Sequence, residues 1–262
     1  MPYLLVLLKS FRQRTVYRIN VYTGLISSLL GLLVTVSLWS ALFAGGRVVA
    51  GVGLPEMITY VVVMQLLGAL TSTNIGEILA GRIEQGTIAI DLARPLKLRR
   101  ALVAEAMGGS LFDLLFTALP PVIAVSLIFG LRLPAHPMTL LLFAVSAALG
   151  VALSYYLGYL LGLTAFWFKT SFHVDWFYSA FMILFGGSFL PLWFYPPTLS
   201  AVSRYLPFRM IAFDPTNIFL ERIVGAEALR VIGTQAVWVV VLLAACELAW
   251  IPAQRVVTVH GG

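Results

Sequence analysis

Residues 138–168 are MTLLLFAVSAALGVALSYYLGYLLGLTAFWF, and no charged side chain interrupts them. A helix needs about 20 apolar residues to cross a hydrocarbon layer roughly 30 Å thick, so the stretch predicts a membrane-spanning helix. Small residues recur at every fourth position within it and therefore share one face: Ser146, Gly150, Ser154, Gly158 and Gly162. Such a stripe lets another helix approach closely, which favours a helix–helix seam over the alternative, a substrate groove.

The rest of the chain has the same apolar character. Of its 262 residues, 60% are hydrophobic and 11% are charged, and the mean hydropathy is +0.96. Soluble domains are about one quarter charged, so a soluble globular protein is excluded and an all-α integral membrane protein is predicted. We expect one transmembrane domain over residues 1–262, with these six spans: Tyr22–Phe43, Met57–Leu79, Leu111–Phe129, Met138–Phe168, Trp176–Tyr195 and Leu229–Ile251.

The basic residues predict the orientation of these spans. The net charge is +6, which suits cytoplasmic loops of a membrane protein better than a nucleic-acid surface. The N-terminal tail and the segment between the second and third spans hold nine Lys and Arg residues, whereas the first loop holds only Arg47. Both termini are therefore predicted to be cytoplasmic. The first 20 residues predict an amphipathic, basic helix on the inner membrane face.

A polar insert, residues 80–109, separates the second span from the third. Residues 81–110, GRIEQGTIAIDLARPLKLRRALVAEAMGGS, contain five basic and three acidic residues. The pattern predicts a helix from Glu77 to Leu92, a break at Pro95 and an amphipathic helix after it. One interpretation is a basic loop that sets topology and touches lipid headgroups. The other is a docking surface for a cytoplasmic partner.

The gate segment, residues 190–224, is apolar but too broken to span a membrane. Gly186–Ser188 loosen the preceding helix, and Pro191, Pro196 and Pro197 stop it. Irregular backbone at membrane depth is tolerated only where it is buried in protein or lines a cavity. This favours an outer gate or vestibule over a lipid-exposed loop.

Catalytic chemistry is not predicted. The chain has no G-x-x-x-x-G-K-[ST] loop, no G-x-S-x-G and no H-E-x-x-H. The three histidines lie in separate segments without metal-ligand spacing, so no catalytic or metal-binding residue is assigned. Cys246 alone cannot form an internal disulfide. Asp113 and Glu247 lie near the cytoplasmic ends of spans, where pairing with a nearby base is favoured over a proton relay.

Two groups of motifs carry a family resemblance. They are GRIEQGTIAIDLARPL after the second span, and GGSFLPLWFYPPTLSAVSRYLPF with DPTNIFL after the fifth. The chain resembles the permease subunits of ABC-2-type exporters over essentially its whole length, in the viologen-exporter-like and multidrug-exporter-like branch. The resemblance implies that the insert is a coupling helix seated on an ATPase. It also implies that the gate segment forms re-entrant helices at the outer gate.

The resemblance further implies partners and a location. They are two ATPase subunits, a second permease chain that is identical or homologous, and the lipid of a prokaryotic cell membrane. This chain would bind no cofactor, because ATP and Mg belong to the ATPase. An ion- or proton-coupled secondary transporter is the alternative, which should show deep charges and repeated halves. A non-transporting scaffold would not need the gate segment.

Two sets of candidate site residues follow. The ATPase-coupling set is Gly81, Arg82, Ile83, Glu84, Gly86, Thr87, Leu92, Arg94 and Pro95. The outer-gate set is Gly186, Gly187, Pro191, Trp193, Phe194, Pro196, Pro207 and Phe208. In the first set, Arg82 and Arg94 are expected to pair with acids of the partner. Apolar residues of the insert are expected to anchor it in a groove of that partner: Ile83, Ile88, Ile90 and Leu92.

Overall fold

The structure, a computed structural model, describes residues 2–16, 18–72, 74–168 and 172–259, and the regular secondary structure in these ranges is helical. An isolated bridge between Val49 and Val52 is the exception within these ranges. The predicted all-α class is therefore confirmed. Within the described ranges, five helical segments are long and apolar enough to cross a membrane: Arg18–Leu42, Leu54–Glu84, Leu98–Phe129, Pro137–Phe168 and Gly225–Arg255.

The helices are numbered in chain order. They are α1 (Pro2–Val16), α2 (Arg18–Leu42), α3 (Leu54–Thr71), α4 (Ile75–Glu84), α5 (Ile88–Ala93), α6 (Leu98–Asp113), α7 (Leu119–Phe129), α8 (Pro137–Leu163), α9 (Ala165–Phe168), α10 (Phe172–Phe185), α11 (Pro197–Ser203), α12 (Arg209–Phe219) and α13 (Gly225–Val259). A π-helical stretch, Leu114–Ala118, joins α6 to α7. We call the end of the bundle with the insert the insert end, and the end with the gate segment the gate end.

The predicted fifth span is shorter than expected. It was placed at Trp176–Tyr195, but α10 ends at Phe185 and is only 14 residues long, or about 21 Å at the helical rise. The helix stops because Gly187 has a φ of +75°, which takes the backbone into the left-handed region. Tyr195 therefore lies beyond the helix, and the count of six spans is not confirmed.

The insert also differs from its predicted form. A single helix was expected from Glu77 to Leu92, but α4 ends at Glu84 and the six-residue α5 begins at Ile88. Gly86 between them has a φ of +72°, and its N–H donates to the carbonyl of Ile83 at 3.1 Å. A glycine in this conformation ends a helix, so the segment turns back on itself.

The N-terminal helix packs along α6. The Ser10 hydroxyl donates to the carbonyl of Glu105 at 2.7 Å, and Arg14 lies 2.8 Å from the carboxylate of Asp113. An added Cβ at Gly108 would meet the backbone of α1, so the two helices approach closely there. The contacts advance together along both helices, which shows that α1 and α6 run parallel.

Helix α8 lies at the centre of the bundle and packs against α13, α12 and α4. Its small-residue stripe faces these neighbours. The Ser146 hydroxyl donates to the Gln235 side chain of α13 at 2.9 Å. Gly150 contacts the carbonyl of Ile211 on α12, and a Cβ at Gly162 would lie 2.9 Å from the Cα of Gly76 on α4.

Helix α12 supplies an unusual partner for this stripe. Pro215 lies inside α12 and has no N–H to donate to the carbonyl four residues earlier, which is that of Ile211. That carbonyl is the group seated on Gly150. Because of the proline, the carbonyl oxygen of Ile211 has no partner within its own helix. Only a residue without a side chain, such as Gly150, can lie so close to it.

Replacing Gly150 by Ala should lower the stability of the folded bundle. The new methyl group would enter the space of the Ile211 carbonyl, and overpacking of this kind costs about 1–3 kcal/mol. Gly233→Ala on α13 is the matched control, since an added Cβ there meets nothing within 4 Å. In detergent, thermal unfolding should show a lower midpoint for Gly150→Ala and an unchanged or higher one for Gly233→Ala. Equal midpoints would contradict the close packing of α8 and α12.

Candidate functional site

One arginine holds the insert together. Arg82 on α4 donates to Asp91 of α5 at 2.8 Å and to Glu105 of α6 at 2.6 Å. Arg94 approaches the same Asp91 at 3.2 Å. The side chain of Arg82 is 25% exposed, so these ion pairs are partly shielded from solvent. The insert is therefore a braced platform on α6, and the arginine expected to pair with a partner is engaged within the chain.

Most of the remaining coupling candidates lie on the outside of this platform. Those exposed to solvent are Glu84, Gly86, Thr87, Leu92, Arg94 and Pro95, whereas Gly81 and Ile83 are half-buried. Among the expected apolar anchors, Ile90 is 60% exposed and Leu92 is 38% exposed. Ile88 is buried in the protein's own core beside Leu98 and Leu102, so it cannot enter a groove on another protein.

A central cavity of about 530 Å³ lies between α2, α3 and the start of the gate. Its walls carry neutral polar side chains as well as apolar ones: Ser28 and Thr35 from α2 and Gln65 from α3. The Gln65 amide donates to the Ser28 hydroxyl at 2.8 Å. At the gate end the cavity reaches Ser188, Phe189 and Pro191.

A basal cavity of about 610 Å³ continues towards the insert end. It is lined by Ser10, Gln13 and Arg14 of α1, and it shares Asp113 and Thr117 with the central cavity. These two residues therefore form part of the wall of both cavities. Of the described residues lining the central cavity, Asp113 alone is charged, and Arg14 neutralises it.

A cluster of aromatic side chains packs against the start of the gate segment. The Tyr60 hydroxyl of α3 donates to the carbonyl of Gly187 at 2.6 Å. A Cβ at Gly187 would lie 2.7 Å from the ring of Phe213, so this position requires glycine for space as well as for its φ. The ring of Trp193 lies 4.7 Å from that of Tyr60 and 5.4 Å from that of Phe213.

The predicted gate residues share this region but not one environment. Gly186, Gly187, Pro191 and Pro207 are buried, Trp193, Phe194 and Phe208 are half-buried, and Pro196 is exposed. Phe194 stacks on Trp39 with ring centroids 5.6 Å apart. Phe208 stacks on Phe181 of α10 at 5.0 Å. The aromatic candidates thus join the gate segment to α2 and α10.

A buried ion pair supports the gate helix α12. Arg209 donates to the carboxylate of Asp214 at 2.7 Å, and the Asp214 side chain is only 3% exposed. On the other side of α12, the Gln235 amide donates to the carbonyl of Met210 at 2.7 Å.

Comparison with known families identifies the protein class. A sequence model of a family described as ABC-2 family transporter protein matches residues 29–261. The chain belongs to the ABC-2 transporter family. The resemblance predicted from the motifs is thereby confirmed, whereas the viologen-exporter-like or multidrug-exporter-like branch stays a prediction. No curated protein matches the chain significantly in sequence.

Family membership gives the cavities and the insert a context. With five long apolar helices, an ABC-2 chain is a multi-pass membrane protein. Permeases of this family are typically the non-catalytic membrane component, and membership implies association with an ABC ATPase.

Replacing Arg82 by Gln should loosen the insert. Asp91 and Glu105 would lose their shared cation, and both helices would lose their link to α4. Hydrogen–deuterium exchange of residues 88–97 should become faster by about tenfold or more, since charge-assisted hydrogen bonds are roughly twice as strong as neutral ones. Arg100→Gln is the control, because Arg100 is exposed and its substitution removes the same charge. Unchanged exchange in Arg82→Gln would show that the insert does not depend on this residue.

Proposed function

We propose that the chain is the permease subunit of an ATP-driven exporter in a prokaryotic cell membrane, with both termini in the cytoplasm. One observation supports it most strongly. The central and basal cavities share Asp113 and Thr117 in their walls, and their linings together extend from α1 at the insert end to Phe189 at the gate end. A transporter needs a route of this kind between its two faces, and a scaffold does not.

The sixth crossing consists, in this proposal, of α10 and the gate segment together. Helix α10 alone is too short. The short helices α11 and α12 that follow it would turn the chain back at the outer face. Residues 210–220 are all buried, so helix α12 within this region is covered by protein. That burial satisfies the condition under which re-entrant segments are tolerated at membrane depth.

Helix α1 lies at the inner membrane face in the same arrangement. Leu4, Leu5 and Leu8 are 54%, 67% and 41% exposed, although the helix packs on α6. Exposed leucines on a basic helix suit the boundary between headgroups and acyl chains.

The insert docks on the ATPase. Ile90 and Leu92 present apolar surface, while Glu84 and Arg94 provide charge around it. A short helix with exposed apolar anchors suits a groove on a soluble partner. Because Arg82 ties α5 to α4 and α6, movement of the docked insert is passed directly to two membrane helices.

The assembly contains two ATPase subunits and a second permease chain, identical or homologous. About six crossings do not enclose a path for a bulky solute, so a second chain supplies the remaining wall. ATP and Mg are bound by the ATPase, and this chain alone is expected to hydrolyse no ATP. The apolar and aromatic path suits a lipophilic drug, as in multidrug efflux, a lipid-linked molecule or an amphipathic peptide.

Asp113 is the one observation that favours a different energy source. A carboxylate in a transport cavity can carry a proton or bind an ion. Its contact with Arg14 argues against this role, because the charge is already neutralised. Inverted membrane vesicles separate the two functions: ATP-driven transport should persist when an uncoupler collapses the proton gradient, whereas proton-coupled transport should stop.

Replacing Ile90 by Ser should weaken ATPase binding without changing topology. The substitution removes an exposed apolar anchor but no charge, so a basic topology signal would be unaffected. Co-purification of the ATPase and transport should both fall about tenfold, in line with a lost contact residue. Ala89→Trp, a bulky change on the same exposed surface, should act in the same direction.

Val48→Ser is the matched control for these variants. Val48 is 67% exposed in the loop between α2 and α3, at the opposite end of the bundle. It should retain the ATPase and transport at the wild-type rate. If Ile90→Ser and Ala89→Trp do the same, the insert is not the ATPase-docking surface.

A further inference from the structure

A cleft of about 620 Å³ at the gate end is lined by four arginines: Arg204, Arg209, Arg222 and Arg230. Helices α11, α12 and α13 form its walls, and Leu192 and Trp193 of the gate close one side. In the proposed orientation this cleft faces the outside, where membrane proteins carry few basic residues. Four arginines in one outer cleft therefore call for a specific cause.

Two of the four arginines are neutralised by the protein itself. Arg209 binds the buried carboxylate of Asp214 at 2.7 Å. Arg222 binds Glu56 of α3 at 2.9 Å and also lies 4.9 Å from the ring centre of Trp193. These two guanidinium groups hold the wall of the cleft in place.

The other two arginines are left with a surplus of positive charge. Within the described part of the chain, no salt bridge involves Arg204 or Arg230. Both are exposed, and Glu227 is the other carboxylate on the cleft wall besides Asp214. Counting Glu56, three carboxylates offset four guanidinium groups, so one positive charge is left over, and a bound anion would compensate it.

The type of the basic residues in the cleft indicates which anion would bind there. All four cations are arginines, whose planar, forked donors match the oxygens of a phosphate group in pairs. The level of the cleft relative to the membrane indicates where this phosphate group comes from. Trp193 lines it, while Val202 and Tyr205 on adjacent positions are 51% and 80% exposed, which is typical of the membrane interface where headgroups lie.

We propose that this arginine cleft binds a phosphate group, supplied by the headgroup of an outer-leaflet phospholipid. The alternative source of the same chemistry is a free phosphate-bearing solute. Trp193 lines the cleft and also contacts Tyr60 and Phe213, so the site would join membrane composition to the gate segment. The proposal concerns binding by this chain alone and does not require the ATPase or transport.

The test compares two double variants that remove the same charge. Arg204→Ala with Arg230→Ala empties the unpaired side of the cleft and leaves both internal salt bridges intact. Arg47→Ala with Arg132→Ala removes two exposed arginines that do not line the cleft. Native mass spectrometry of protein extracted from vesicles of phosphatidylcholine and phosphatidylglycerol counts the retained phospholipid. Thermal unfolding of delipidated protein in millimolar inorganic phosphate measures the response to the free anion.

Retained phospholipid should fall about tenfold in the cleft variant and stay at the wild-type level in the control, as expected for loss of charge-assisted hydrogen bonds. A phosphate-dependent rise in the unfolding midpoint should also disappear only in the cleft variant. If the phosphate response is cleft-specific but lipid retention is not, the site takes a free phosphate and the lipid source is wrong. If neither measurement distinguishes the cleft variant from the control, the site does not exist. Should the double variant unfold, Arg204→Gln alone gives the same comparison with Arg132→Gln.

Discussion

The close approach of α8 to α12 and α4 is the constraint on which the rest of the structure depends. Gly150 receives the carbonyl of Ile211, and Gly162 receives the backbone of Gly76. The two glycines lie on one face of α8, about 18 Å apart at the helical rise. Neither position has room for a side chain, so α12 and α4 both pack tightly against the same helix, α8.

If the insert docks on the ATPase as proposed, this arrangement offers two routes by which movement of the insert would reach the gate segment. Arg82 fixes the insert to α4, which contacts α8 at Gly162, and α8 contacts the gate helix at Gly150. The second route runs from α4 to α3, the two helices within the candidate span Leu54–Glu84, because Tyr60 of α3 holds the carbonyl of Gly187. Coupling between distant sites is carried by packed, rigid elements of this kind. The central cavity is lined by Tyr60 and other residues of α3, and the basal cavity by Ile78 of α4.

The sequence predicts the elements that local pattern determines and misses those that depend on distant contacts. Apolar runs were sufficient to predict most spans, and small residues at every fourth position were sufficient to predict the stripe on α8. Neither pattern predicts which helices pack against that stripe. The fifth span was placed too far because residues 186–195 are apolar, whereas Gly187 is held in its left-handed conformation by Tyr60, 127 residues away. The sequence does not predict the internal ion pairs of Arg82, because Asp91 and Glu105 lie 9 and 23 residues away. Side-chain pairs that can be recognised within one helix are three or four residues apart.

The most direct test of coupling through α8 is the accessibility of the gate in a Phe189→Cys variant. Phe189 is 79% exposed and lines the central cavity, and the natural Cys246 is buried. The labelling rate with a membrane-impermeant thiol reagent is measured with and without the ATPase and a non-hydrolysable ATP analogue. We expect the nucleotide to change the rate, and we expect Gly162→Ala to abolish that change while ATPase binding is retained. An equal nucleotide-dependent change in Gly162→Ala, or no change in the parent variant, would contradict the account.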